Sequence, residues 1–128
     1  MDRIVVIEDD PAILRGLALT LRAESYEVLT AANGGDGYRI VCQKHPDLVI
    51  VDLGLPTIDG VEVIRGLRGW TEVPIIVLSA RHAGDRVVIE IAEMSRASRG
   101  PALRMISSLI AFSGKPRVSS PPRSISSK

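Results

Sequence analysis

The chain has 128 residues, 45% of them apolar, one cysteine and a formal net charge of +1, the make-up of an ordinary domain built on one core. No run approaches the roughly 18 consecutive apolar residues of a membrane span, no signal-peptide pattern opens the chain, and Cys42 has no second cysteine to pair with. A spanning helix and an internal disulfide are excluded, and a cytoplasmic location is expected. The charge is uneven: residues 1–80 hold 12 acidic and 7 basic side chains, a net of −5, while residues 81–128 hold 3 and 9, a net of +6.

Residues 3–7 (RIVVI) read as a first buried strand, ended by Glu8-Asp9-Asp10. Pro11 suits the first turn of a helix, and Asp10 before it suits the N-cap. Ile13, Leu14, Leu17 and Leu21 then mark one face of a 3.6-residue repeat. Residues 26–31 (YEVLTA) form a short second strand, Asn33-Gly34-Gly35 a turn, and residues 36–44 a second helix that takes in Cys42 as a core thiol. The LVIV run before Asp52 is a third strand, and its unbroken apolar character belongs to a strand buried on both faces. Residues 61–68 give a two-turn helix with Val61, Ile64 and Leu67 on one side, and Pro74 introduces PIIVLSA as a fourth strand. Beyond residue 85 the pattern weakens: residues 87–94 (VVIEIAEM) suit a helix, and residues 102–112 a helix or a helix and short strand. The last sixteen residues, with six serines and three prolines, have a disordered composition from about residue 113.

Strands alternating with helices over short connections predict βαβ units and a parallel sheet covered on both faces. In such a sheet ligands bind beyond the carboxyl ends of the strands, where the strand order reverses. In the order 2-1-3-4-5, that rule gathers Glu8, Asp9 and Asp10 from the first strand, Asp52 from the third and Ser79 from the fourth. Clustered carboxylates repel one another unless protons or a cation neutralise them, and Mg²⁺ is the hard ion that takes one or two carboxylates with waters and a phosphoryl oxygen. Asp52 is then the candidate nucleophile for phosphoryl transfer, with the Ser79 hydroxyl able to bond the new phosphoryl oxygens.

Over residues 3–87 the chain resembles the receiver domain of two-component response regulators, through the VVIEDD acid cluster, VIVDLGLPTIDG and PIIVLSAR at successive strand ends. The wording DLGLP, LRGW and VPIIVLSAR is similar to OmpR-type regulators of the Kdp kind. The resemblance implies a flavodoxin-like, doubly wound parallel α/β sheet and a Mg²⁺-dependent phosphoacceptor at Asp52. It implies metal ligands at Glu8, Asp9 and Asp52 with the Gly54 backbone carbonyl, a switch hydroxyl at Ser79, a variable acidic position at Asp10, and a sensor histidine kinase as partner.

The chain departs from the family after about residue 87. The expected fifth strand, its Lys-Pro pair and the final helix are missing or degenerate. The family's lysine would fall near Pro101, yet no lysine occurs between Lys44 and Lys115, and the pair Lys115-Pro116 comes fourteen residues late. An incomplete receiver over residues 1–94 and an atypical basic segment over 95–128 are therefore expected, the latter the mark of a truncation or reading-frame change. This predicts weakened phosphoryl chemistry, an exposed IIVL edge on the fourth strand, and no dimer through the usual receiver face.

His45 and His82 stand apart from any ligand-spaced partner and read as surface residues outside the site. The basic C-terminal third lacks a reading helix or interleaved aromatics, so no sequence-specific DNA binding is expected. A haloacid-dehalogenase-type phosphatase needs an aspartate where this chain has Gly54. A docking-only pseudo-receiver, or an inert remnant, remains the alternative to a working phosphoacceptor.

Overall fold

The computed structural model describes residues 2–55, 60–84 and 86–95. Its elements run β1 (Arg3–Ile7), α1 (Pro11–Ala23), β2 (Glu27–Ala31), α2 (Gly34–Lys44), β3 (Leu48–Asp52), α3 (Gly60–Arg68), β4 (Ile75–Ala83) and β5 (Arg86–Ser95). The sheet order is β2-β1-β3-β4-β5, with β1 to β4 parallel. This is the expected flavodoxin-like, doubly wound core, with β1 and β3 adjacent at the switch point. No helix among the described residues is long and apolar enough to cross a membrane.

Alternation along the central strands supplies two cores. Ile4, Val6, Ile50, Ile76 and Leu78 face α1, where Ile13, Leu17, Ala18 and Leu21 cover them. Val5, Ile7, Val49, Val51, Ile75 and Val77 face the other way and meet Val41 of α2 with Val63 and Leu67 of α3. Both faces are buried, which is why these strands read as continuous apolar runs. Each fully buried Ile or Leu contributes roughly 1.5–3 kcal/mol of transfer free energy.

Local details shift some expectations. Helix α2 starts at Gly34, because the Asn33 side chain caps it by accepting from the Asp36 N–H at 2.8 Å. Helix α3 buries Gly60, Val63 and Leu67, while Val61 and Ile64 are only half-buried. Cys42 is likewise half-buried.

The larger correction concerns the end of the sheet. Residues 87–94 are a strand, not a helix: β5 pairs antiparallel with β4 from Ala83↔Arg86 to Ile75↔Ser95, with a bulge between Val77 and Leu78. Valine and isoleucine dominate its first half, and β-branched side chains favour the pleated conformation. Gly84, at φ +66°, opens the two-residue connection, a backbone region that favours glycine. The edge of β4 expected to be bare is therefore paired. The family's crossover helix and parallel fifth strand do not occur among the described residues. Residues 96–128, with the neighbourhood of Pro101, the Lys115-Pro116 pair and the basic tail, lie outside the described residues.

Gly60 fixes how closely α3 approaches the end of β3. A Cβ there would lie 2.7 Å from the Asp52 carbonyl oxygen and 3.1 Å from Leu53 Cα, both backbone atoms that cannot swing aside. Gly60→Ala is expected to cost about 1–3 kcal/mol by overpacking. Gly54→Ala, whose Cβ would meet only the Asp52 carboxylate at 3.6 and 3.9 Å, should stay within about 0.5 kcal/mol. Urea unfolding of the two variants checks the contrast, and equal midpoints would refute it.

Candidate metal and phosphoacceptor site

Glu8 follows the last residue of β1, and its backbone N–H continues the ladder to Ala31 O at 3.0 Å. Asp52 is the last residue of β3 and pairs with Leu78. Both strands are central and parallel, so their ends deliver the two side chains to one edge of the sheet. Asp9 joins them from the turn into α1. One carboxylate oxygen from each of Glu8, Asp9 and Asp52 lies within 4.8 Å of the others.

Burial makes this cluster unlike a solvated patch. Glu8 is 1% exposed and Asp52 4%, whereas Asp9 is open to water. Glu8 Oε1 accepts from the Asp10 N–H at 3.0 Å, but Oε2 is buried with no hydrogen-bond partner among the described residues. Burial pushes the Glu8 carboxyl up from 4.5 to about 8; the Asp10 N–H opposes this, and the negative charge of Asp52 adds to it. Two ionised carboxylates within 4.8 Å of each other repel by at least about 3.5 kcal/mol at an effective dielectric constant near 20. An orphaned, buried carboxylate oxygen within a set of hard oxygen donors is what a divalent cation would satisfy, so the residues fit Mg²⁺.

The remaining expected residues fall into place unequally. Gly54 is exposed, and its open Cβ position faces the Asp52 carboxylate, so its main chain borders the cluster. Ser79 is exposed on the strand beside Asp52, one residue past Leu78. Alternation along β4 turns it toward the face of Val77, while Asp52 shares the face of Leu78.

Asp10 caps α1, its Oδ1 accepting from the Ala12 N–H at 2.9 Å and the Ile13 N–H at 3.1 Å. The Ile13 bond first, and the His82 ring after it, hold the Asp10 carboxyl below the ordinary carboxylate range. His82 is exposed, as expected, but it is not remote: its Nε2 lies 2.7 Å from Asp10 Oδ2. Sequence reasoning missed this contact because the partners are 72 residues apart and meet only when β4 runs on past Ala80 into the hairpin. His45 caps α2 in the left-handed region, on the surface.

Comparison with known proteins agrees with this geometry. A model described as "Response regulator receiver domain" matches residues 4–96. The transcriptional regulatory protein KdpE of Mycobacterium tuberculosis is 48% identical over 88 residues, 68% of this chain and 39% of that protein. Among solved structures, the response regulator TrrA of Thermotoga maritima in complex with Mg²⁺-BeF aligns at TM-score 0.60 with 38% identity, covering 62% of this chain and 70% of that one. The BeF3-activated receiver domain of RstA from Klebsiella pneumoniae aligns at TM-score 0.60 with 31% identity, covering 65% and 71%. The chain thus spans about two-fifths of the length of the curated relatives it matches. Because the family match runs through all four parallel strands and on into the β4–β5 hairpin, the chain belongs to the response regulator receiver domain family of two-component systems.

Proposed function

We propose that the chain is a phosphoacceptor, with Asp52 taking a phosphoryl group from a sensor histidine kinase in a Mg²⁺-dependent step in the cytoplasm. The observation that carries this reading is the convergence of Glu8, Asp9 and Asp52 around a buried, unpartnered carboxylate oxygen at the switch point of a parallel sheet. Two aligned relatives, the BeF3-activated receiver domain of RstA and TrrA in complex with Mg²⁺-BeF, take beryllium fluoride species, and their kinship supports the same chemistry here.

The cation, bound by Glu8, Asp9 and Asp52 with the Gly54 carbonyl, would screen the charge of an incoming phosphoryl group. The protein's own part is positional. A carboxylate oxygen of Asp52, held at the end of β3, attacks phosphorus in line; the P–N bond to the donor histidine breaks, and an acyl phosphate forms on Asp52. Exclusion of water from Glu8 and Asp52 strengthens the electrostatics that position the reactants. Ser79 is the hydroxyl that would turn to the phosphoryl oxygens and carry the change into β4.

One observation favours a second reading, a docking-only pseudo-receiver: no lysine lies between Lys44 and Lys115 to neutralise the phosphoryl group. Neither reading includes sequence-specific DNA contact by this chain or dimerisation through the usual receiver face.

Incubation with acetyl phosphate and Mg²⁺ followed by intact-mass spectrometry should add one phosphoryl mass to the wild type and none to Asp52→Ala. A folded wild type that gains no mass, with a kinase-docking effect that survives Asp52→Ala, would favour the second reading.

The raised Glu8 pKa gives a pH signature. A carboxyl whose folded value exceeds its unfolded one favours folding fully below about 4.5 and loses that contribution as pH rises toward about 8. Mg²⁺ binds the ionised form, so the melting-temperature gain from a fixed Mg²⁺ concentration should be larger at pH 8 than at pH 5.5. Glu8→Gln should flatten this difference. Equal Mg²⁺ stabilisation of the wild type at both pH values would refute the expectation.

A further inference from the structure

His82 has no part in the chemistry described above, yet it is joined to the acidic site by contacts in series. Its Nε2 lies 2.7 Å from Asp10 Oδ2, the Asp10 N–H donates to Glu8 Oε1 at 3.0 Å, and Glu8 gathers with Asp9 and Asp52. The strand explains the reach. Ile76 and Leu78 of β4 pack with Ile13 and Leu17 of α1, and His82, four residues past Leu78, follows in their phase at the helix's N-terminal end.

This geometry bears on how Glu8 is aimed. With Oε1 pinned by the Asp10 N–H, Oε2 is the oxygen left for a ligand. The direction of that N–H depends on where Asp10 sits. Asp10 is held by its two capping bonds on one oxygen and by His82 on the other. Outer-shell partners of this kind orient metal-binding carboxylates and are felt in metal affinity.

We propose that His82 is a positioning residue for the divalent-cation site, clamping Asp10 from the β4–β5 hairpin so that Glu8 presents its free oxygen to the ion. The proposal rests on the reading of Glu8, Asp9 and Asp52 as a Mg²⁺ site. Because the capping bonds remain when His82 is removed, the clamp adjusts affinity and does not create the site.

Isothermal titration of the full chain with MgCl₂ tests this, with His82→Ala and His82→Gln beside the wild type. The side chain is 51% exposed, so both variants should melt as the wild type does. His82→Ala should bind Mg²⁺ about tenfold more weakly, and His82→Gln, whose amide can donate to the same Asp10 oxygen, should recover most of that loss. Phosphorylation of His82→Ala by acetyl phosphate should be slow at limiting Mg²⁺ and reach the wild-type rate when Mg²⁺ saturates. Unchanged Mg²⁺ affinity in His82→Ala would overturn the proposal. So would a rate defect that persists at saturating Mg²⁺, which would put His82 on the phosphoryl group. A wild type that binds no Mg²⁺ would overturn the metal reading of the cluster together with the clamp.

Discussion

Glu8 and Asp52 are held almost entirely out of water, side by side, and the cost of placing two like charges there shapes the rest of the molecule. A sheet optimised for stability alone would end these strands on apolar or solvated residues. Here β1 and β3 carry buried apolar side chains up to Ile7 and Val51 and then present the carboxylates of Glu8 and Asp52 at the crevice edge. The repulsion is tolerated because the flanking cores fix the backbone on both sides, and because the raised pKa of Glu8 lets a proton relieve it. The site is thus a strained arrangement sustained by the packing of Ile50, Val51 and their neighbours against α1 and α3.

The hairpin at the sheet's edge answers a different physical demand. A fourth strand reading IIVL leaves a row of unpaired backbone groups if nothing lies beside it, and such edges recruit other chains. β5 pairs that edge along its whole length, with one bulge to absorb the mismatch. Antiparallel pairing through a two-residue turn needs far less chain than a parallel crossover, which requires a dozen or more residues and normally a helix. It leaves β5 as the outer strand in the sheet order, so the liability is displaced by one strand and not removed.

Much of this was legible in the sequence because the signals were local and mutually consistent. The bounds of β1, the start of α1, the cap at Asp10 and the placement of Asp52 at a strand end follow from apolar runs, a proline and a helical repeat within a few residues of each other. The grouping of Glu8, Asp9 and Asp52 followed from topology, since parallel central strands bring their ends together. The misses have equally physical origins. VVIEIAEM satisfies both a helical and a pleated spacing, and the free edge of β4 decided between them. In α3, Gly60 and Val63 are buried in place of Val61 and Ile64, while Leu67 is buried as the pattern required. The His82 contact carries no local signal at all.

That contact changes how the two halves of the site relate. If the acidic cluster and the hairpin were independent, a change at Asp52 could reach the rest of the molecule only along β3 and its neighbours. Asp10 closes a second route, from the Glu8 carboxylate through its own backbone to His82 near the hairpin turn. Ser79 lies three residues before His82 on the same strand, so both routes end on β4. A half-exposed contact of this kind contributes little to stability by itself, which suits it to a structural tie that can be made or released without unfolding the core. Under the proposed clamp, the position of β4 and the direction of Glu8 are linked, and a change that biases one biases the other by the same free energy.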